Sequence, residues 1–159
     1  MNRHLIVRHI DRADTSVIDA LADIGTATVH EAIGRVGFVG PHLAPIQQGA
    51  RIAGSAVTVL THPGDNIMIH AAVEMCRAGD VLVVANTAPS THGGFGDLLA
   101  TSLMARGVRG LVIDAGVRDT ADLVRMLVGT MVLAVCGMIA MNVWKRHRAS
   151  RRRAPAEGG

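Results

Sequence analysis

The stretch 110-GLVIDAGVRD-119 decides the reading of the fold. After Gly110, the residues Leu111, Val112 and Ile113 form a short apolar run bounded by turn residues, which reads as a buried strand. Asp114, Ala115 and Gly116 break the run, and Arg118 then stands directly beside Asp119, where 118-RDTADLVRM-126 opens a helix. Upstream, 81-VLVVA-85 is a second buried strand. Between the two strands, a helix over 97–106 carries Leu98, Leu99, Leu103 and Met104 on its apolar face, and another helix is expected over 66–77. Alternating helix and strand predict an α/β domain with parallel pairing. If strands 81–85 and 111–114 lie side by side, their C-terminal ends open on one edge, where open α/β sheets bind ligands.

Outward from this centre the signals are simpler. The segment 4-HLIVRHI-10 reads as a first short strand, and 14-DTSVIDALADIG-25 as a helix with Asp14 or Thr15 as N-cap and Gly25 as its stop. A second short helix is expected in 26-TATVHEAIGRVG-37, and a β-branched, alternating strand in 50-ARIAGSAVTVLT-61. The Gly-rich segment 86-NTAPSTHGGFGD-97 reads as a loop.

The 159 residues suffice for one domain with a real core. Aromatic residues make up only 2% and there is no Tyr, so stacking platforms for single-stranded nucleic acid are absent. Charge is divided unevenly. Residues 1–126 hold 10 Lys and Arg against 12 Asp and Glu, a net of −2, whereas residues 127–159 hold 6 against 1, a net of +5. The basicity therefore belongs to the ending, and the mildly acidic body gives no electrostatic reason to bind nucleic acid. Cys76 and Cys136 lack metal-type spacing and read as free thiols in a reducing compartment. The first residues lack a long apolar run, so no secretory signal is expected and a cytoplasmic location follows.

Two loops are expected to meet at the sheet edge. One supplies 93-GGFGDLL-99, whose glycines allow close backbone approach and whose helix start offers N–H groups to an anion. The other supplies 114-DAGVRD-119. Arg118 can grip a carboxylate through two parallel hydrogen bonds. Asp119 is a hard oxygen ligand suited to Mg²⁺ or Mn²⁺, and Asp97 faces the same space and can hold a water there. Together these parts suit a small 2-oxo acid. Spacing alone also allows a plainer reading, in which Asp97 caps its helix and Arg118 and Asp119 are a solvated pair. His70 and Glu74 read as surface or interface residues, His92 as a loop residue that can approach a ligand, and Asp114 as a residue that caps a turn or stands near the metal, the turn being favoured.

The runs 27-ATVHEAIGR-35, 53-AGSAVTVLTHPGDNIMIHAAVEMCRAGDVLVV-84 and 93-GGFGDLLATSLMARGVRGLVIDAGVRDTADL-123 carry a resemblance. Over about residues 5–123 the chain resembles the 4-carboxy-4-hydroxy-2-oxoadipate / 4-hydroxy-4-methyl-2-oxoglutarate aldolases of the RraA-like superfamily. The resemblance implies a β/β/α sandwich, here with a truncated or altered C-terminus, assembled as homotrimers or homohexamers. It implies a class II pyruvate aldolase, using a divalent cation, with oxaloacetate decarboxylase side activity, in the breakdown of aromatic acids. It also implies that Gly96, Asp97, Leu98 and Leu99 form the substrate-binding loop, that Arg118 binds the pyruvate carboxylate with Asp97 assisting catalysis, and that Asp119 binds the metal. The alternatives are a non-catalytic RraA-like regulator and an inactive truncated or membrane-anchored relative.

After Met126 that pattern gives way to 127-LVGTMVLAVCGMIAMNVW-144 and a basic ending over 145–159. The expected division is thus an incomplete aldolase domain over 1–126, an apolar segment over 127–144 that is a candidate single membrane span, and a basic, disordered tail over 145–159. At ~1.5 Å rise per residue, 18 residues span about 27 Å, close to a ~30 Å hydrocarbon core. A frameshifted terminus is the competing reading of the same residues.

Overall fold

The computed structural model describes residues 5–47 and 49–126, and the backbone of Val132–Cys136. Two short helices lead, α1 (Thr15–Ile24) and α2 (Thr26–Ala32). Asp14 caps α1 through its carboxylate, which accepts from the Ser16 N–H at 2.7 Å, and Gly25 at φ +91° turns the chain into α2. There follow β1 (Leu43–Pro45), β2 (Ser55–Thr61), α3 (Ile67–Met75), β3 (Asp80–Asn86), β4 (Gly93–Phe95), α4 (Asp97–Ala105), β5 (Gly110–Ile113), β6 (Gly116–Val117), α5 (Thr120–Met126) and β7 (Val132–Cys136).

The main sheet has the order β1-β7-β5-β3-β2. The strands β2, β3, β5 and β7 run parallel, linked by crossovers that contain α3, α4 and α5, and β1 lies antiparallel on the β7 edge. The expected parallel pair is present, with Val81 opposite Gly110 and Val84 opposite Ile113. This is the α/β architecture that the alternating helices and strands predict. Its core is aliphatic, as the composition requires: Leu82 and Val84 of β3, Leu111 and Ile113 of β5, Ile69 of α3, Leu103 of α4 and Leu123 of α5 are buried together. Phe95 is the one aromatic side chain in the cluster, and it is fully buried.

Three expectations change. No strand forms over residues 5–10, although the run is apolar. Arg12 holds this part of the chain instead. Its guanidinium meets the buried Asp80 carboxylate at 2.9 and 3.3 Å and donates to the carbonyls of Ile10 and Met75, and the Arg77 N–H also donates to Asp80 at 2.8 Å. An ion pair fixes the segment, with no backbone ladder. The expected strand over 50–61 begins only at Ser55. The segment 86–97 is not wholly loop, because β4 and β6 pair as a second, two-stranded parallel sheet.

Beyond residue 126, Val132–Cys136 is β7, placed between β5 and β1. The remainder of the expected apolar span, 127–131 and 137–144, and the tail over 145–159 lie outside the described residues. Among the described residues, no helix is long and apolar enough to cross a membrane.

Candidate functional site

The two loops expected to meet do so through β4 and β6, with Gly93 opposite Gly116 and Phe95 opposite Val117. Each loop is pinned from below by a buried apolar side chain, Phe95 under the first and Val117 and Leu123 under the second. A backbone bond ties them: the Arg118 N–H donates to the Phe95 carbonyl at 2.8 Å. The rigid core thus sets the spacing of groups that themselves reach solvent.

Arg118 lies across the glycine strand. A Cβ on Gly93 would overlap its Cγ and lie 3.2 Å from its Cδ, and a Cβ on Gly96 would lie 3.8 Å from its Nε. Asp119 returns to the same place, since its Oδ2 is 2.7 Å from that Gly96 Cβ position and accepts the Asp97 N–H at 3.5 Å. The convergence has a backbone cause. Asp119 sits at φ +55°, in the left-handed region, which residues with a Cβ rarely enter. Its carbonyl still accepts from Asp122 and Leu123, both at 2.9 Å, and so starts α5. The carboxylate is left to point at the glycine loop.

Arg118 and Asp119 are exposed and do not pair with each other; among the described residues the guanidinium has no ion pair or side-chain hydrogen bond. Of the other expected site residues, Asp97 opens α4 and accepts the Leu98 N–H on its own Oδ1 at 2.7 Å, so that amide is already occupied. The Leu98 side chain is 81% exposed at the mouth of the site. Leu99 points into the core, and only its backbone is available to a ligand. Asp114 lies in the bend that follows β5. Its N–H donates to Val84, its carbonyl accepts from Asn86 Nδ2, and its carboxylate lies 3.6 Å from His42 Nε2. The His92 ring rests against Gly64 in the turn before α3.

Among the described residues, no three His, Cys, Asp or Glu side chains gather as a cage, so a closed tetrahedral centre of the structural zinc type is not built here. Mg²⁺ makes a smaller demand, because it keeps several waters and binds through one or two carboxylates and the substrate. Asp119 offers one such carboxylate, its Oδ2 reached by the Asp97 N–H, and the bare backbone at Gly96 leaves room beside it.

Sequence reasoning missed one support of this site and one long-range tie of the fold. Phe95 is the site's anchor, and the signal was available: a lone aromatic among Gly93, Gly94 and Gly96 in an aromatic-poor chain. The Arg12–Asp80 pair joins residues 68 apart, and no local pattern carries it.

A family model described as RraA-like: Aldolase/RraA matches residues 16–151, so it runs through the apolar segment beyond Met126. A Burkholderia multivorans protein is 35% identical over 103 residues, covering 65% of this chain and 62% of its own length. A Halalkalibacterium halodurans protein is 24% identical over 110 residues, covering 69% and 52%. Both carry the name "Putative 4-hydroxy-4-methyl-2-oxoglutarate aldolase". This chain therefore spans between half and two thirds of the length of those relatives. Among solved structures, Streptomyces coelicolor RraAS2, described as an unusual member of the RNase ES inhibitor RraA protein family, superposes with a TM-score of 0.65 at 24% identity, over 80% of this chain and 66% of that one. That likeness concerns the fold.

Proposed function

The chain belongs to the RraA-like family, Aldolase/RraA, and on that premise we propose that it is a divalent-metal-dependent pyruvate aldolase. Its substrates are 4-hydroxy-4-methyl-2-oxoglutarate or 4-carboxy-4-hydroxy-2-oxoadipate, with decarboxylation of oxaloacetate as a side activity. One observation carries the reading: a guanidinium unpaired among the described residues and a carboxylate, on adjacent residues, converge on the bare backbone of Gly96. The carboxylate and keto oxygens of a 2-oxo acid are likewise adjacent, so one small molecule can meet both groups.

In this reading Arg118 holds the substrate carboxylate as a two-toothed fork. Asp119 would hold the cation, and Asp97 would orient a water beside it. Lewis-acid polarisation of the keto oxygen is the chemistry that such a cation supplies when bound. The backbone at Gly96 lets the substrate approach closely, and the buried Leu99 keeps the start of α4 in place. Cleavage breaks the bond between C3 and C4. The C4 hydroxyl loses its proton to the water oriented by Asp97 and becomes a carbonyl, while the electron pair moves to C3, which then takes up a proton to give pyruvate. Assembly into homotrimers or homohexamers and a cytoplasmic setting complete the proposal.

A coupled assay tests it. Pyruvate released from oxaloacetate and from 4-hydroxy-4-methyl-2-oxoglutarate is measured with Mg²⁺ and after chelation. Metal-stimulated release is expected for both. No release with either substrate, together with no Mg²⁺ or Mn²⁺ binding by calorimetry, would replace the enzyme with a non-catalytic member of the family.

A further inference from the structure

We propose that Gly93 is a positioning residue of this site, acting through Arg118 and not through the ligand; the proposal rests on the functional reading above. The three glycines of the loop are not equivalent. A Cβ on Gly94 would meet only Ile69 Cδ1 at 3.5 Å and Asn66 Cβ at 3.9 Å, which is ordinary packing. A Cβ on Gly93 would overlap Arg118 Cγ and press on Cδ at 3.2 Å, while the Arg118 backbone nitrogen would stand at an ordinary 3.5 Å. Gly93 thus provides a slot for the aliphatic stem of Arg118.

The slot matters because no polar partner among the described residues holds that side chain. Among the described residues the guanidinium has no ion pair and no side-chain hydrogen bond, and Arg118 is exposed. The long stem has several rotamers, and an unpaired guanidinium would sample them at the cost of ligand affinity. The backbone on both sides is fixed by the Gly93–Gly116 register and by the Arg118 N–H bond to Phe95. Between them only a residue without a side chain leaves the stem its path toward Gly96. A methyl group at position 93 can be accommodated when the stem swings away, and that swing moves the guanidinium off the point where Asp119 Oδ2 arrives.

Stability and kinetics are read in a cycle of Gly93→Ala, Arg118→Ala and the double variant, with Gly94→Ala as the comparison. Gly93→Ala is expected to lower Tm by about 3 °C when Arg118 is present and to leave it unchanged in the Arg118→Ala background. Gly94→Ala keeps the wild-type Tm. For Mg²⁺-dependent pyruvate release, Gly93→Ala is expected to lower kcat/KM by about 10²-fold, mostly through KM, and to add nothing to Arg118→Ala. A merely structural glycine would lower Tm and leave KM alone. Equal losses of Tm with and without the Arg118 side chain, or an unchanged KM in Gly93→Ala, would overturn the proposal. If the wild-type chain releases no pyruvate, the functional reading fails, while the Tm cycle still decides whether Gly93 holds the Arg118 stem.

Discussion

Asp119 joins a backbone strain to a proposed metal ligand, and two substitutions separate them. Replacement by Gly removes the carboxylate and the Cβ together; replacement by Ala removes the carboxylate and leaves the Cβ in the left-handed region, at φ +55°. A Cβ there costs about 1–2 kcal/mol, and Gly loses about 0.4–1 kcal/mol more than Ala in chain entropy on folding. The difference leaves Asp119→Gly more stable than Asp119→Ala by about 1 kcal/mol. The carboxylate itself adds little to either comparison, because its hydrogen bond from the Asp97 N–H is 3.5 Å long and it does not cap α5. For a chain of this size 1 kcal/mol shifts Tm by roughly 2–4 °C. Calorimetry or thermal circular dichroism should therefore rank Gly above Ala by that margin. Both variants should lose Mg²⁺-stimulated pyruvate release together. An Ala variant as stable as the Gly variant would refute the strain argument. Metal-stimulated turnover surviving in either would refute the ligand assignment.

Arg118→Lys keeps the charge and loses the planar fork, so kcat/KM for the 2-oxo acid should fall by about 2 kcal/mol of transition-state binding; an unchanged value removes Arg118 from the carboxylate. Arg12→Ala leaves the buried Asp80 carboxylate without its partner and should cost about 3 kcal/mol in urea unfolding, read as a lower midpoint at constant slope. Cys76 is buried, which pushes its thiol up to about 11. In a Cys136→Ser background Cys76 should resist a disulfide reagent at pH 8 until the chain unfolds. The neutral thiol is the form that the fold favours, so its contribution is intact below the ordinary thiol value of 9.0 and is lost as pH rises toward about 11. Rapid modification of the folded protein at pH 8 would contradict that burial.

The parts of the fold that could be read from the chain are those in which local pattern and tertiary role agree. The runs 81–85 and 111–114 are apolar because their strands are covered by helices, so their parallel pairing followed from the helix between them. The pairing of β4 with β6 could not be read that way. Gly93–Phe95 and Gly116–Val117 are too short and too rich in glycine to signal a strand, and they pair because Phe95 and Val117 are both buried beneath them. At the other extreme, the residues at 5–10 have strand-like composition without a partner, and an ion pair across the fold decides their course. The apolar segment after Met126 shows a further limit. A central strand of a parallel sheet is apolar without alternation, so hydropathy alone does not distinguish β7 from part of a span.

The residues proposed for the candidate site could be named from the sequence, but the geometry that brings them together could not. Along an extended strand neighbouring side chains point to opposite faces, and in a helix they diverge by about 100°, so adjacency of Arg and Asp does not itself bring their heads together. The left-handed turn at Asp119 does so, by folding the carboxylate back over the glycine strand that already carries the Arg118 stem. Asp is one of the few residues with a Cβ that enter this conformation at modest cost, because its short polar side chain can bond to nearby backbone. Glu at 119 would keep the charge but reach further and tolerate the turn less well. In the proposed site, the choice of Asp after Arg would thus answer two demands at once: an oxygen ligand of the right hardness, and a backbone that can aim it at Gly96.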